Sequence, residues 1–242
     1  MTSAAYDAED LLATYRELHF GLRLENPTDP QKVRAAAKVL LDAVDVAGSF
    51  YQEMALGISG FHPKRLLDAG CGMGRLSGEL AALSTHLDYV GLDLSLSMVR
   101  EGRPMFGLRR NSDSDEPTIE TAEFLAGDAT CLPFTDGAFD FVVAANLVDR
   151  VSEPNSVILE LWRVLCPGGY LYLSDPFHWE TTPDERFYNF DHVAALLPDS
   201  IAVDYSPKRS IFCVRRRDGD RVVTYLNHNA VFRRKVVSPA EG

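Results

Sequence analysis

Leu66-Leu-Asp-Ala-Gly-Cys-Gly-Met-Gly-Arg75 is the stretch that decides the fold of this chain. It predicts a buried strand that runs into a glycine turn and then into a helix. Three of its glycines alternate at positions where a Cβ would hinder a sharp turn or the approach of a ligand to the backbone. The N–H groups at the start of the helix favour an anionic or hydroxyl-rich ligand. The stretch therefore indicates a nucleotide-type binding turn.

Strands and helices alternate on the C-terminal side of this turn. Their apolar residues occur either in short runs or at helical spacing. Phe139 to Ala145 is a mostly apolar run, as expected for a parallel strand that is covered on both faces. The alternation predicts a doubly wound α/β sheet. We expect strands at 65–69, 87–92, 122–126, 139–145 and 170–173, helices at 73–83, 95–103 and 155–165, and a polar surface loop at 104–118.

The alternation ends after the fifth predicted strand. A helix is expected at 190–197, followed by two strand-like runs at 201–217 and 221–235. Asp218-Gly219 lies between these runs, and Asp-Gly is a strong hairpin signal. An antiparallel pair at one edge of the sheet follows from this pattern.

The N-terminal quarter has a different character. Residues 4–24 carry apolar side chains at helical spacing, and residues 33–56 predict one long helix or two shorter ones that meet near Gly48. The chain is therefore expected to have an N-terminal helical cap at 1–60 and a Rossmann-like core at 61–242.

The charge of the chain limits its partners. The net charge of −11 over 242 residues argues against a broad surface for nucleic acid or anionic membranes. Basic residues are concentrated near the C-terminus, where they form either the solvated face of the hairpin or a patch for phosphate or carboxylate. They are Arg215, Arg216, Arg217, Arg221, Arg233, Arg234 and Lys235.

The composition also indicates the cellular compartment in which the protein is expected. No apolar run approaches the ~20 residues that span a bilayer, and the acidic N-terminus with Asp7, Glu9 and Asp10 is unlike a signal peptide. A cytoplasmic location is therefore expected. The four cysteines form no C-x-x-C pair, so neither a metal site nor a disulfide framework is predicted.

The spacing of the glycines separates two cofactor classes. Open α/β sheets bind ligands at the C-terminal ends of their strands, where Asp93 is placed to accept the hydroxyls of a ribose. Dinucleotide sites use G-x-G-x-x-G/A, whereas this turn is G-x-G-x-G, with Arg75 in the place of the third small residue. Asp68 could hold the cationic amino-acid portion of S-adenosylmethionine, but a pyrophosphate would gain nothing from it. A nicotinamide-dependent oxidoreductase therefore remains only a distant alternative.

The sequence resembles the class I S-adenosylmethionine-dependent methyltransferases across roughly 65–175. That resemblance implies a seven-stranded, mostly parallel sheet of order 3-2-1-4-5-7-6 with the seventh strand antiparallel, in agreement with the hairpin. The stretches that carry the resemblance are 66–74, 90–95, 127–129, 132–140 and 163–169.

The resemblance also implies a cofactor site. Asp128 and Ala129 correspond to an adenine-binding segment in which a carboxylate faces the exocyclic amine. Each acidic residue has a simpler alternative role, since Asp68 or Asp93 could cap a helix and Asp128 could belong to a turn. The candidate cofactor-binding residues are Asp68, Gly70, Cys71, Gly72, Gly74, Asp93, Leu94, Met98, Asp128, Ala129 and Asn146.

Methyl transfer needs a general base only when the acceptor is protonated, because the sulfonium cofactor brings its own leaving group. The candidate catalytic residues are His178, Asp149 and Tyr188. His178 has a suitable pKa range for a base but is as readily explained as a structural residue. Arg150, Phe177 and Trp179 are candidates for binding the substrate.

The acceptor is indicated only by short stretches. Residues 146–150 and 167–180 are similar to the mercaptohistidine N-methyltransferase modules of ovothiol-type biosynthesis. The resulting hypothesis is a methyltransferase for nitrogen of a small amino-acid-like or heteroaromatic metabolite. Alternatives are an O-methyltransferase of a secondary metabolite, a methyltransferase of RNA or protein, and a non-catalytic binding partner with the same fold. The sequence is compatible with a homodimer, and neither nucleic acid nor membrane is an expected partner.

Overall fold

The structure is a computed structural model and describes residues 47–83, 87–108, 121–176, 190–197, 200–202, 209–215 and 222–236. Its helices are α1 (Ala47–Ser59), α2 (Arg75–Ala82), α3 (Leu96–Leu108), α4 (Pro154–Val164) and α5 (Phe190–Leu196), with a short 3₁₀ turn at Val148–Arg150. Its strands are β1 (Arg65–Ala69), β2 (Asp88–Asp93), β3 (Thr121–Ala126), β4 (Phe139–Ala145), β5 (Leu165–Asp175), β6 (Ser200–Ala202), β7 (Arg209–Arg215) and β8 (Val222–Arg234).

The strands form one mixed sheet of order β3-β2-β1-β4-β5-β8-β6, in which β7 also pairs with β8. The first five strands are parallel, and β8 runs antiparallel to β5. Both β6 and β7 pair with the outer side of β8, so the edge strand is divided into two pieces. The predicted order 3-2-1-4-5-7-6 is therefore confirmed, with its sixth strand divided. The predicted Asp218-Gly219 turn lies outside the described residues.

Apolar layers cover both faces of the sheet. Leu66 packs with residues of α1 and α2, whereas its neighbour Leu67 packs with residues of α4 and α5. This division follows from the two-residue period of a strand, which sends successive side chains to opposite faces. The burial of β1 and β4 on both faces confirms the interpretation of their apolar runs.

Helix α1 is the described part of the predicted N-terminal cap. Phe50, Met54 and Ile58 are buried and pack with the sheet residues Leu66 and Phe141. This helix contributes directly to the layer that covers one face of the sheet. Residues 1–46 lie outside the described residues, so the cap as a whole and its boundary at residue 60 stay predictions.

Two predicted boundaries are wrong. Helix α3 continues through Pro104 to Leu108, so the expected loop does not begin at residue 104. The middle of this helix packs closely against the glycine turn, since a Cβ on Gly102 would lie 2.9 Å from the Met73 carbonyl oxygen. Strand β5 begins at Leu165, which pairs with Phe139 before a shift of register. The sequence had placed this start at residue 170.

Two arginines of the C-terminal basic set have structural partners. The Arg234 Nη1 atom donates to the carbonyl oxygens of Trp162 at 3.0 Å and Leu165 at 2.5 Å. It thereby satisfies carbonyl groups that the end of α4 leaves without helical partners. Arg233 Nε donates to the Gly168 carbonyl oxygen at 3.3 Å. Arg234 thus joins β8 to the end of α4, and Arg233 joins β8 to β5.

Gly74 provides a test of the turn that starts α2. Its φ is +72°, and a Cβ there would lie 2.5 Å from Phe124 Cε1. Gly74→Ala should lower the free energy of unfolding by on the order of 2–4 kcal/mol, because both the left-handed backbone and the overlap are unfavourable. Urea denaturation measures this.

The matched control for this substitution is Gly60→Ala. A Cβ on Gly60 meets only the Gly57 carbonyl oxygen, at an ordinary 3.4 Å. Its effect should stay within about 1 kcal/mol. Equal losses in the two variants would contradict the assignment of a special role to Gly74.

Candidate functional site

The glycine turn is held by the end of strand β2. The N–H groups of Gly70 and Cys71 donate to the Leu92 carbonyl oxygen at 2.7 and 3.1 Å. The Gly72 N–H donates to Asp93 Oδ2 at 2.8 Å. These three N–H groups are therefore occupied within the protein. A ligand at this turn would meet side chains and the Cα surface instead.

Gly72 presents the open part of that surface. Its φ is +53°, and the nearest neighbour of a Cβ built there is Met98 Sδ at 3.9 Å. Met98 is buried and Leu94 is half-buried on the same side of the turn. Glycine at this position leaves space for a ligand next to apolar side chains, as the cofactor hypothesis requires.

Asp93 joins the turn to helix α3. Its Oδ2 accepts from Gly72, and its Oδ1 accepts from the Ser95 N–H at 2.9 Å. Ser95 Oγ in turn accepts from the Met98 N–H at 3.1 Å and caps α3. A carboxylate has about four acceptor positions, so these bonds leave capacity for the hydroxyls of a ribose. The capping role of the Asp93–Ser95 segment and the predicted ribose role are compatible.

Asp68 is buried beneath the turn and has one side-chain donor, the Tyr89 hydroxyl, at 2.5 Å. Burial raises the pKa of Asp68 from 3.8 to about 7, the Tyr89 hydrogen bond opposes this rise, and the charge of Asp93 adds to it. Helix α2 has Gly74 as its N-cap and no side-chain cap. The alternative that Asp68 caps this helix is therefore wrong.

The Tyr89–Asp68 contact was not predicted from the sequence. Asp68 pairs with Gly91 across the two strands, and a Cβ on Gly91 would lie 3.1 Å from Tyr89 Cε1 and 2.9 Å from Cys71 Sγ. The glycine thus makes room for both side chains. A tyrosine two residues before a strand glycine was the available signal for this contact.

Cys71 lies inside the glycine turn. Burial and the Asp68 charge raise the pKa of the Cys71 thiol, which fits a spacer and not a nucleophile.

The segment after β3 forms a turn. Asp128 is exposed, and its Oδ1 accepts from both the N–H and the hydroxyl of Thr130 at 2.8 Å. The turn role of Asp128 is therefore confirmed, while its contact with an adenine stays a prediction. Ala129 is buried beside it.

Two residues of α4 hold the continuation of this segment. The Leu132 N–H donates to Glu160 Oε2 at 2.7 Å, and Arg163 Nη2 donates to the Leu132 carbonyl oxygen at 3.0 Å. The Arg163 hydrogen bond lowers the pKa of Glu160, so the pair stays ionised. The sequence pattern had marked Arg163 without indicating this contact.

Polar side chains meet at the ends of β4, β5 and β8. The Asn146 N–H donates to the Ser174 carbonyl oxygen at 2.8 Å. Asn227 Nδ2 donates to Asn146 Oδ1 at 2.7 Å and to Ser174 Oγ at 3.1 Å. Asn227 was not predicted as a site residue, although asparagines at 227 and 229 in a strand-like run were a visible signal.

Asp149 and Arg150 follow Asn146. The Asp149 side chain is fully buried. The backbone N–H of Asp149 donates to Asp175 Oδ2 at 3.2 Å. Asp149 Oδ1 lies 3.4 Å from Arg150 Nε, whose side chain is 27% exposed. The catalytic role of Asp149 and the substrate role of Arg150 stay predictions. The predicted residues Phe177, His178, Trp179 and Tyr188 lie outside the described residues.

The described residues contain neither a membrane-spanning helix nor a cluster of metal-binding side chains. No described helix is long and apolar enough to cross a bilayer. Among the same residues, no group of three His, Cys, Asp or Glu side chains is placed to hold a metal ion.

The fold and the site together define a Rossmann-like protein with a carboxylate at the end of its second strand. Comparison with known proteins agrees with this class. A family model described as "Methyltransferase domain" matches residues 67–173. The demethylmenaquinone methyltransferase of Renibacterium salmoninarum is 36% identical over 135 residues, which are 56% of this chain and 50% of that protein. The chain spans about half the length of such curated relatives.

Solved structures extend the likeness to nearly the whole chain. The [4+2]-cyclase SpnF is 17% identical, covers 98% of both chains and has a TM-score of 0.64. The magnesium protoporphyrin IX methyltransferase of Synechocystis with bound S-adenosylmethionine is 17% identical, covers 96% of this chain and 95% of that one, and has a TM-score of 0.55. Identities this low support the fold alone.

Residues 67–173 therefore form a methyltransferase domain. The sheet order and the carboxylates at the ends of β1 and β2 agree with the class I S-adenosylmethionine-dependent methyltransferases that the sequence resembles.

The raised pKa of Asp68 predicts a pH dependence of cofactor binding. If Asp68 holds the cofactor's ammonium group, binding favours the ionised carboxylate and lowers its pKa below about 7. Affinity for S-adenosylhomocysteine should then be full above pH 7 and fall about tenfold for each pH unit below it. Isothermal titration calorimetry between pH 5.5 and 8.5 measures this.

Two variants serve as controls. Tyr89→Phe removes the hydrogen bond that lowers the Asp68 pKa, so the midpoint should move to higher pH. Asp68→Asn should flatten the profile. In the ligand-free protein, the raised pKa means that Asp68 holds its proton more tightly in the folded state than in the unfolded state. The free energy of unfolding should therefore decline from pH 4 to 7 in wild type, and this decline should be absent in Asp68→Asn. An unchanged profile in Asp68→Asn would contradict the assignment.

Proposed function

We propose that this methyltransferase acts on nitrogen of a small amino-acid-like or heteroaromatic metabolite. The observation that carries this proposal is the pair of buried carboxylates at the ends of β4 and β5. Asp149 is 0% exposed and Asp175 is 1% exposed, and both lie beside the Asn146 segment. Buried carboxylates favour cationic or N–H-bearing ligands and oppose anionic ones. An amine or azole nitrogen suits such surroundings.

The cofactor side of the site fits S-adenosylmethionine. The partly exposed carboxylate of Asp93 would bind the ribose hydroxyls, and buried Asp68 would bind the ammonium group. The segment at Asp128 and Ala129 would bind the adenine. When bound, S-adenosylmethionine supplies an electrophilic methyl group together with its leaving group. The protein's part is to align the acceptor and to exclude water.

A protonated acceptor nitrogen must lose its proton before it can attack a methyl group. Asp149 is the described candidate for accepting that proton, since it lies three residues after Asn146. Its neighbour Arg150, with Nε at 3.4 Å from Asp149 Oδ1, would pair with the carboxylate or bind a charged group of the acceptor. His178 and Tyr188 remain the other candidates for the base.

Charge supports a small acceptor over RNA. The net charge is −11, and the described arginines Arg163, Arg233 and Arg234 donate to backbone carbonyl groups of their own protein. These guanidinium groups bind the fold together, whereas an RNA surface needs cations that face phosphates. The proposal therefore places the protein with metabolite-modifying enzymes of the cytoplasm. The homodimer stays a prediction.

A second candidate acceptor is a reduced quinone. It is favoured by the 36% identity to demethylmenaquinone methyltransferase, which covers half of that relative. The acceptor would then carry ring hydroxyl groups, and the polar residues at the ends of β4 and β5 would bind them.

A methyl-transfer assay tests the proposal. The protein is incubated with S-adenosylmethionine and, separately, with L-histidine, histamine, 2-aminopyridine, 1,4-dihydroxynaphthalene and mixed tRNA, and products are identified by mass spectrometry. We expect an N-methylated product from one of the first three. Asp149→Asn should lower kcat about 100-fold with little change in the KM for S-adenosylmethionine, because general bases contribute about that much.

The matched control is Glu153→Gln. Glu153 is an exposed carboxylate that accepts from Ser156 Oγ at 3.2 Å, and its loss should leave kcat unchanged. Methylation of the dihydroxynaphthalene alone would favour the quinone candidate. Cofactor binding without any methylated product would contradict the proposal and favour a non-methylating role for this fold.

A further inference from the structure

The contact between Asn146 and Asn227 joins a half-buried amide to a fully buried one and leaves hydrogen-bonding groups unused. Asn227 is 0% exposed, and its Nδ2 donates to Asn146 Oδ1 at 2.7 Å. In the part of the chain that the structure describes, Asn146 Nδ2 and Asn227 Oδ1 are both buried without a hydrogen-bond partner. One donor and one acceptor are therefore unsatisfied in the same pair. Such groups are unfavourable in a protein interior and need an explanation.

The orientation of the two amides does not change this result. If both amide groups are turned over, Asn146 Nδ2 donates to Asn227 Oδ1, and the hydroxyl of Ser174 can donate where it accepted before. The atoms left over are then Asn146 Oδ1 and Asn227 Nδ2. The pair still offers one donor and one acceptor. The shortage of partners is thus a property of the packing and not of one choice of rotamer.

The pair lies at the same sheet edge as the glycine turn. Asn146 directly follows β4, and β4 is the neighbour of β1. The next residue, Leu147, comes so close to the turn that a Cβ on Gly70 would lie 3.1 Å from its Cδ1. Asn227 lies on the half of β8 that continues past the last residue of β5, since Asp175 pairs with His228. Both asparagines therefore adjoin the cofactor side of the site.

Backbone geometry also suits a functional role for Asn146. Its φ of +54° is unusual for a residue other than glycine. That conformation directs the chain from the end of β4 toward the 3₁₀ turn, while the Asn146 N–H remains bonded to the Ser174 carbonyl oxygen at 2.8 Å. Asn227 and Ser174 then fix the side chain. The amide is held in one position before any ligand arrives, which lowers the entropy lost on binding.

We propose that Asn146 and Asn227 bind the methyl acceptor through a neutral group that both donates and accepts hydrogen bonds, such as a carboxamide. This inference rests on the proposed function, whose acceptor it describes more closely. The acceptor's donor binds the free oxygen of the pair, and its acceptor atom binds the free N–H. Asn227 is thereby a substrate-binding residue contributed by the antiparallel edge of the sheet.

The carboxylates near this amide pair disfavour the binding of anionic groups. Asp175 is adjacent to Ser174, the partner of Asn227, and the Asp149 N–H donates to the Asp175 carboxylate at 3.2 Å. Both carboxylates are buried. A carboxylate ligand would have no proton for the free amide oxygen and would be repelled by these two groups. A carboxamide of the same shape avoids both penalties.

Benzamide and benzoate form a matched pair of probes for this proposal. Their affinities for wild-type protein saturated with S-adenosylhomocysteine can be measured by NMR titration at pH 7.5. We expect benzamide to bind at least about tenfold more tightly than benzoate, because benzoate lacks the proton for the free amide oxygen and is repelled by the two buried carboxylates. In Asn227→Leu the preference should shrink, because the acceptor for the carboxamide N–H is lost while Asp149 and Asp175 still repel benzoate.

Further variants separate binding from folding. Asn227→Asp keeps the size of the side chain and the oxygen that accepts from the carboxamide, while its negative charge repels benzoate, so the preference for benzamide should persist or grow. Asn229→Leu makes the same change as Asn227→Leu two residues along the strand, at a residue that is 4% exposed, and should preserve the preference. S-adenosylhomocysteine affinity should stay within about twofold of wild type in all three variants.

Several results would overturn the inference. They are equal affinity of wild type for the two probes, no binding of benzamide by wild type, and an undiminished preference for benzamide in Asn227→Leu. The last result would mean that the pair is structural or is bridged by water. Failure of the proposed function is detected separately, because the methyl-transfer assay contains no benzamide.

Discussion

The bond between the glycine turn and the end of β2 is the constraint on which the rest of the site depends. Leu92 accepts two N–H groups of the turn through its carbonyl oxygen, and Asp93 accepts a third through its carboxylate. The same carboxylate receives the N–H of Ser95 at the start of α3. One side chain therefore joins β1, β2 and two helices. It also stays partly exposed, so the group that organises the turn can contact a ligand there.

Sequence reasoning succeeded where the determinants are local. The strand at 65–69, its glycine turn and the capping Ser95 follow from neighbouring residues, and the sheet order followed from a family resemblance. The contacts that it missed join distant positions. Tyr89 and Asp68 are 21 residues apart, and Asn227 and Asn146 are 81 apart. Such contacts depend on strand register and on which side chains a glycine admits, and neither is visible in a single local pattern.

The site has two halves of different character. The half that we propose for the cofactor is built from turns that hydrogen bonds within the protein already satisfy, so its shape is set before a ligand binds. The half that we propose for the acceptor contains buried carboxylates and an amide pair with unused groups. A likeness to SpnF over 98% of the chain shows that this fold also serves a cyclase. The fold alone therefore does not determine the reaction, and our proposal assigns that role to the residues at the ends of β4, β5 and β8.

Calorimetric titration of the protein with S-adenosylmethionine and with NADH, under identical conditions at pH 8, tests the central claim most directly. The geometry of Asp68 and Asp93 predicts one S-adenosylmethionine per chain and no saturable binding of NADH, because a buried carboxylate beside the turn opposes a pyrophosphate. Binding of NADH without binding of S-adenosylmethionine would contradict the account.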